Sequence, residues 1–239
     1  MSSRARIQKR MLPFVFINMA MTADGKIATA NRAVHTFGSQ RDLAHLHELR
    51  GTADAILCGA RTVEMSNATL GNGEEKFRKR RLKNGLSELP IRVVVTGCGS
   101  INPKAKIFQK HFSPLIIFTT QRAPAKKLAL LRTLADQVKI FGKTEVTFPA
   151  ALTWLRKNYG VKRLLCEGGG ELNDALFRAD LVDEIHLTIC PKIFGGTAAP
   201  TISGGQGFPK LELTRQFKLL AVREKNSELF TVFVRKKHV

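Results

Sequence analysis

Leu164-Leu165-Cys166-Glu167-Gly168-Gly169-Gly170-Glu171-Leu172-Asn173 reads as a short apolar strand that runs into three glycines and then into a helix. Glycines lack a Cβ and let a backbone come close to a ligand, and a helix N-terminus offers unpaired N–H groups to a phosphate. Gly-rich turns also have structurally neutral uses, but three in a row at a strand-to-helix junction favour a pyrophosphate site. The usual dinucleotide fingerprint, Gly-x-Gly-x-x-Gly, fits poorly, because Asn173 stands at its third glycine and the segment comes late in the chain. The junction therefore predicts nucleotide binding on a different α/β fold.

The flanking sequence supports that class. Short apolar runs at 13–21, 53–58, 91–95, 115–118, 138–141 and 163–166 read as strands. Between them lie helical patterns: Leu43, Leu46 and Leu49 after the N-cap candidate Ser39; Leu128, Leu131 and Leu134 after Pro124; and Phe148, Leu152, Leu155 and Tyr159. Apolar strands separated by helices predict a mostly parallel sheet covered on both faces. Near the end, Ile185, Leu187 and Ile189 alternate with polar residues, and 211–222 and 228–236 flank a polar turn at Arg223–Ser227, a hairpin pattern. The expected architecture is a three-layer α/β domain over 13–239, with a mixed sheet ending in an antiparallel hairpin, preceded by a basic flexible tail at 1–12.

Of 239 residues, 39 are Lys or Arg and 19 Asp or Glu, a net charge of +20. Thirteen of the basic residues sit in three acid-free stretches: Arg4, Arg6, Lys9 and Arg10; Lys76, Arg78, Lys79, Arg80, Arg81 and Lys83; and Arg235, Lys236 and Lys237. The excess is peripheral and reads as solvated tails and a basic loop. One Trp and one Tyr leave little for base stacking, so nucleic-acid binding without catalysis is the weaker reading. With 44% hydrophobic residues the chain can build a core, and no apolar run is long enough to span a membrane. Cys58, Cys98, Cys166 and Cys190 are widely spaced and form no Cys-x-x-Cys pair, which predicts free thiols in a reducing, cytoplasmic setting. His45 and His47 point to different faces of one helix, and no metal site is expected. Ser39, Asp42 and His45 share a helix but come without an oxyanion motif, so they do not read as a catalytic triad.

Two further strand ends carry chemistry. Ile56-Leu57-Cys58-Gly59-Ala60-Arg61-Thr62 places a glycine, a guanidinium and a hydroxyl where phosphates can be met, although Arg61 alone reads equally well as a surface residue. Met21-Thr22-Ala23-Asp24-Gly25-Lys26 reads either as a simple turn with a solvated Lys or as a Lys placed to donate a proton or neutralise an anion. Thr96 and Thr119-Thr120 also follow strands, so several strand ends converge on one crevice.

Taken in order, Met19–Ala28, Ser39–Arg50, Asp54–Val63, Arg92–Val95, Leu164–Asn173 and Leu181–Gly196 resemble the pyrimidine-nucleotide reductases of riboflavin biosynthesis, which have a dihydrofolate-reductase-like fold. The resemblance implies NADPH as cofactor and reduction of a ring-opened ribosyl group to ribityl on an aminopyrimidine phosphate. It implies that Gly168, Gly169, Gly170, Gly59 and Thr62 cradle the cofactor pyrophosphate, and that Thr96 and Thr119 lie near its adenosine end. Lys26 and Glu167 would act at the reacting carbon, and Asp24, Ser39 and Arg50 would hold the substrate, the last two at its ribose phosphate. Arg61 stands where the family more often has a small residue, and we expect it to grip the 2′-phosphate of NADPH. The resemblance also implies a homodimer, which the edge hairpin can support. With twelve residues before Pro13, a stand-alone reductase without a deaminase domain is expected.

The chain departs from the family pattern at 64–73. Ser66 replaces an acid, Ala68 a proline and Gly73 a substrate-binding arginine. Either the following basic run replaces the lost Arg, or the substrate is another pterin- or pyrimidine-like molecule; family chemistry is the favoured reading.

Overall fold

Among the described residues, nine strands and six helices follow one another. They are β1 (Phe14–Thr22), α1 (Gln40–Arg50), β2 (Ala55–Gly59), α2 (Ala60–Ser66), α3 (Glu75–Lys83), β3 (Ile91–Val95), β4 (Leu115–Thr119), α4 (Ala125–Leu134), β5 (Gln137–Ile140), α5 (Phe148–Tyr159), β6 (Arg163–Cys166), α6 (Gly170–Arg178), β7 (Glu184–Cys190), β8 (Phe217–Lys225) and β9 (Glu228–Arg235). The computed structural model describes residues 11–32 and 37–236. Arg4, Arg6, Lys9 and Arg10 of the expected tail, and Lys237 at the basic end, lie outside the described residues. Leu12, placed in that tail by the sequence, packs against the core.

The strands form one sheet in the order β5-β4-β3-β2-β6-β1-β7-β9-β8. Strands β1 to β7 run parallel, and β9 adds antiparallel to β7 and β8. Alternation along each strand builds two cores. Ala55 and Leu57 face one side with α5 and α6, where Leu152, Leu155, Leu172 and Leu176 are buried. Ile56 and Cys58 face the other, against Val63 of α2 and Leu131 of α4. A smaller cluster joins Phe16 and Leu165 to Leu49 and Ala53 at the end of α1. This is the expected three-layer arrangement. Strand β6 inserts between β2 and β1, so the order reverses there, and in open α/β sheets such a switch point opens the ligand crevice at the carboxyl ends of the strands.

Two local expectations are corrected. The 76–83 run is a helix, α3, rather than a basic loop. Its Lys, Arg, Glu and Leu residues favour a helix, Phe77 and Arg81 share its buried face four residues apart, and Glu75 pairs with Lys79 at 2.9 Å. The hairpin turn is also shorter than 223–227. Asn226 and Ser227 both take positive φ, 54° and 61°, making a two-residue turn, so Arg223, Glu224 and Lys225 continue β8. Residues 211–213 form a single 3-10 turn instead of strand.

Candidate active site

Gly59, Thr96, Thr119 and Glu167 end four neighbouring strands, β2, β3, β4 and β6, and the structure brings their junctions together. The Gly59 N–H donates to the Gly168 carbonyl at 3.0 Å, and Thr96 N–H to Phe118 O at 2.9 Å. Space requires glycine at Gly170, where a Cβ would strike backbone, and the backbone conformation favours it at Gly168 and Gly169. A Cβ on Gly168 would lie 2.4 Å from Met19 Sδ, one on Gly169 3.0 Å from Thr62 Oγ1, and one on Gly170 2.6 Å from the Thr201 carbonyl. Gly168 and Gly169 also need positive φ, 77° and 64°. Gly169 caps α6 with no side-chain acceptor, so the first-turn N–H groups stay available to an anion. Asn173, the residue that spoils the dinucleotide fingerprint, is fully buried. It accepts from Cys166 Sγ at 3.3 Å and donates to Ile202 O at 2.8 Å, tying strand, helix and loop together. Burial pushes the Cys166 thiol up to about 12, which keeps it a neutral donor.

Lys26 reaches the same neighbourhood by its backbone. It bridges to Thr201, whose carbonyl lies against Gly170, while its Nζ donates to Ala199 O at 3.5 Å. Asp24 is committed to the loop before it: it accepts from Thr22 Oγ1 at 2.5 Å and from the N–H groups of Phe194 and Gly195 at 3.2 and 2.7 Å. The Thr22 hydroxyl, with those two N–H groups, holds its carboxyl below the usual range.

Glu167 and Arg50 are partners. Arg50 Nε and Nη2 donate to the two carboxylate oxygens at 2.5 and 2.6 Å, and Nη1 donates to the Gly71 carbonyl. Both side chains are about 10% exposed. Burial by itself would depress Arg50, but the Glu167 carboxylate outweighs it and holds the guanidinium above its ordinary value. Ser39 has a different partner: its N–H and Oγ donate to Glu228 at 2.8 and 2.6 Å, while its Oγ caps α1 by accepting from Arg41 and Asp42 N–H. Glu228, at the start of β9, is 4% exposed. Both groups expected at the ribose phosphate thus already face a carboxylate of this chain.

Arg61 lies exposed on α2 and pairs with Glu171 at 3.2 Å. Thr96 Oγ1 donates to Ser100 O at 3.3 Å, whereas Thr119 Oγ1 is buried with no hydrogen-bond partner among the described residues. The sequence reading missed Glu228, Arg81 and Asn72. Asn72 is 1% exposed, with both amide atoms unpartnered, beside the Gly71 carbonyl that Arg50 binds. Their signals lie in contacts across the fold, with no local motif to announce them.

Three of the six basic residues of the run pair with acids, and Arg80 and Lys83 are exposed. Lys76 pairs with Glu74 at 2.9 Å, Lys79 with Glu75 at 2.9 Å and Arg78 with Glu88 at 3.2 Å, while Arg81 is fully buried. His45 and His47 diverge as expected: His45 packs on His186 and Phe230, His47 on Phe77. Among the described residues, no group of three or more His, Cys, Asp or Glu is placed to hold a metal ion, and no helix is long and apolar enough to cross a membrane.

A sequence model of the RibD C-terminal domain matches residues 13–230. The chain is 34% identical over 200 residues to the 2,5-diamino-6-ribosylamino-4(3H)-pyrimidinone 5′-phosphate reductase of Archaeoglobus fulgidus, covering 84% of this chain and 90% of that one. It is 30% identical over 223 residues to the Aquifex aeolicus protein of the same name, covering 92% and 95%. Its fold is similar to that of a pyrimidine reductase-like protein from Corynebacterium diphtheriae, with a TM-score of 0.79 at 22% identity over 95% of this chain and 93% of that one.

Proposed function

The chain belongs to the RibD C-terminal domain family, and on that premise we propose that it uses NADPH to reduce the ribosyl group of 2,5-diamino-6-ribosylamino-4(3H)-pyrimidinone 5′-phosphate to ribityl. It is an oxidoreductase of riboflavin biosynthesis. The relatives aligned over nearly the whole chain carry the name of that diamino compound, which supports reduction before deamination.

The observation that carries the reading is the convergence of Glu167 and Gly168–Gly170 with Gly59 at the switch point, where the Gly59 N–H donates to the Gly168 carbonyl and leaves a turn free of side chains. These residues fit a dinucleotide. Gly59, Thr62 and the three glycines would hold its pyrophosphate, and the unpartnered Thr119 hydroxyl, with Thr96, its adenosine end. Bound there, NADPH supplies a hydride for the sugar carbon attached to the pyrimidine amine. Glu167, held in place by the Arg50 fork, opposes the positive charge that grows on that carbon and its nitrogen as the C–O ring bond breaks. Lys26, loosely held at Nζ, delivers the proton that the departing ring oxygen takes up. Ser39 and Arg50 reach the ribose phosphate only by sharing donors with Glu228 and Glu167, and Asp24 serves by holding the Lys26 turn. The exposed apolar face of β8, Leu219, Leu220 and Val222, supports pairing with a second copy of the chain.

The test is loss of nicotinamide absorbance with the diamino pyrimidine, its deaminated counterpart and a dihydropterin. Turnover fastest with the first is expected; turnover with none overturns the reading. Arg61→Ala is expected to cut the preference for NADPH over NADH about tenfold, with less than about 0.5 kcal/mol change in stability because its pair is exposed. Equal efficiency with both cofactors before and after the change removes the 2′-phosphate role.

A further inference from the structure

Arg81 is the most deeply buried cation of the basic run, at 0% exposure, and it makes no ion pair among the described residues. Its Nη1 donates to the carbonyls of Arg50 and Ala53, both at 2.6 Å, and its Nε to Ser87 O at 2.8 Å. Asn84, one turn on, donates its amide to Gly51 O at 3.3 Å. Two side chains from the end of α3 therefore satisfy the carbonyls of Arg50, Gly51 and Ala53 at the end of α1. The Arg50 carbonyl belongs to the last turn of α1, whose carbonyls a helix leaves short of partners at the negative end of its dipole, and Gly51 and Ala53 follow directly, so a cation belongs there. Burial pushes Arg81 down to about 10, with Asp54 opposing the shift.

Arg50 is thereby held at both ends. Its backbone carbonyl is gripped by Arg81, and its guanidinium is gripped by Glu167 and Gly71. We propose that Arg81 is a positioning residue for the reaction: by fixing the last turn of α1, it aims the Arg50 fork and so fixes the Glu167 carboxylate at the end of β6. The inference rests on the role given to Glu167 above. It gives the basic run a function inside the fold in place of a phosphate clamp on its surface.

The test compares Arg81→Met with Arg81→Lys in the full chain. Lysine can reach the Arg50 and Ala53 carbonyls, since one nitrogen of Arg81 serves both, but not Ser87 as well. Arg81→Met is expected to lower kcat about 10- to 100-fold, because small misplacements of a reacting group are that costly. KM for NADPH should stay within about twofold, because Arg81 does not touch the glycine cradle, and Arg81→Lys should restore kcat to within about threefold of the parent. The Nε–H resonance of Arg50, protected from exchange by Glu167, should lose that protection in Arg81→Met and keep it in Arg81→Lys. If the Met variant does not fold, Arg81→Gln is read by the same measurements. Parental kcat per cofactor-binding site, or undisturbed Arg50 protection in the Met or Gln variant, overturns the proposal. If the parent protein reduces neither pyrimidine, the functional reading fails, and the Arg50 resonance still decides the positioning claim.

Discussion

Helix α1 is closed at both ends by buried charges from distant parts of the chain, and the two ends differ in what else they hold. At the N-terminus, Glu228 accepts from Ser39 N–H and Oγ, a carboxylate where a helix dipole favours an anion. At the C-terminus, Arg81 donates to the Arg50 and Ala53 carbonyls, a cation where the dipole favours one. The electrostatics are mirror images, but the N-terminal pair ends in a closed cluster with Cys190, whereas the C-terminal grip passes through Arg50 to Glu167 beside the glycine cradle. One end secures the helix and Ser39 to β9, and the other ties the helix to Glu167, the group proposed to act in the reaction.

Glu167→Gln tests the functional end and has the largest expected effect. It strips the buried Arg50 of its counter-charge, and a loss of about 3–5 kcal/mol in denaturant unfolding is expected, with kcat falling at least about 100-fold. A stable variant with near-parental kcat would break the contrast between the two ends. Midway along the helix, burial, reinforced by His186, lowers His45 from 6.5 to about 4. Its folded value lies below its unfolded one, so the stability gained by keeping it neutral is complete above pH 6.5 and is lost as the pH falls through 6.5 towards 4. That loss is about 2–3 kcal/mol, and His45→Gln should flatten this part of the pH–stability curve. An unchanged acid slope would show that His45 does not titrate with unfolding. The smallest effect belongs to the structural end: Glu228→Gln should cost about 1–2 kcal/mol of stability and change kcat less than about twofold. A kcat loss as large as that of Glu167→Gln would make the two ends equivalent.

Features within one turn or one strand of each other were legible in the sequence. The Ser39 cap, the apolar strand runs, the Gly168–Gly170 junction and the divergence of His45 from His47 all follow from periods of two and 3.6 and from the φ freedom of glycine. The 76–83 run misled because its composition is that of a solvated surface, while its helical period hid Phe77 and Arg81 on one face. The roles expected of Asp24, Ser39 and Arg50 came from resemblance and that of Arg61 from a departure from it, and the structure adds partners for each that no local pattern contains.

The sequence by itself determined the layer architecture, the strand ends that meet at the switch point and the glycine junction after β6, because alternation and backbone freedom are local. Only the tertiary structure decided which charges meet. Arg50 finds Glu167 across 117 residues and Ser39 finds Glu228 across 189, and Arg81 is buried through carbonyls supplied by another helix. A charge's worth depends on burial and on the partner that burial brings, and both are set when the chain closes on itself.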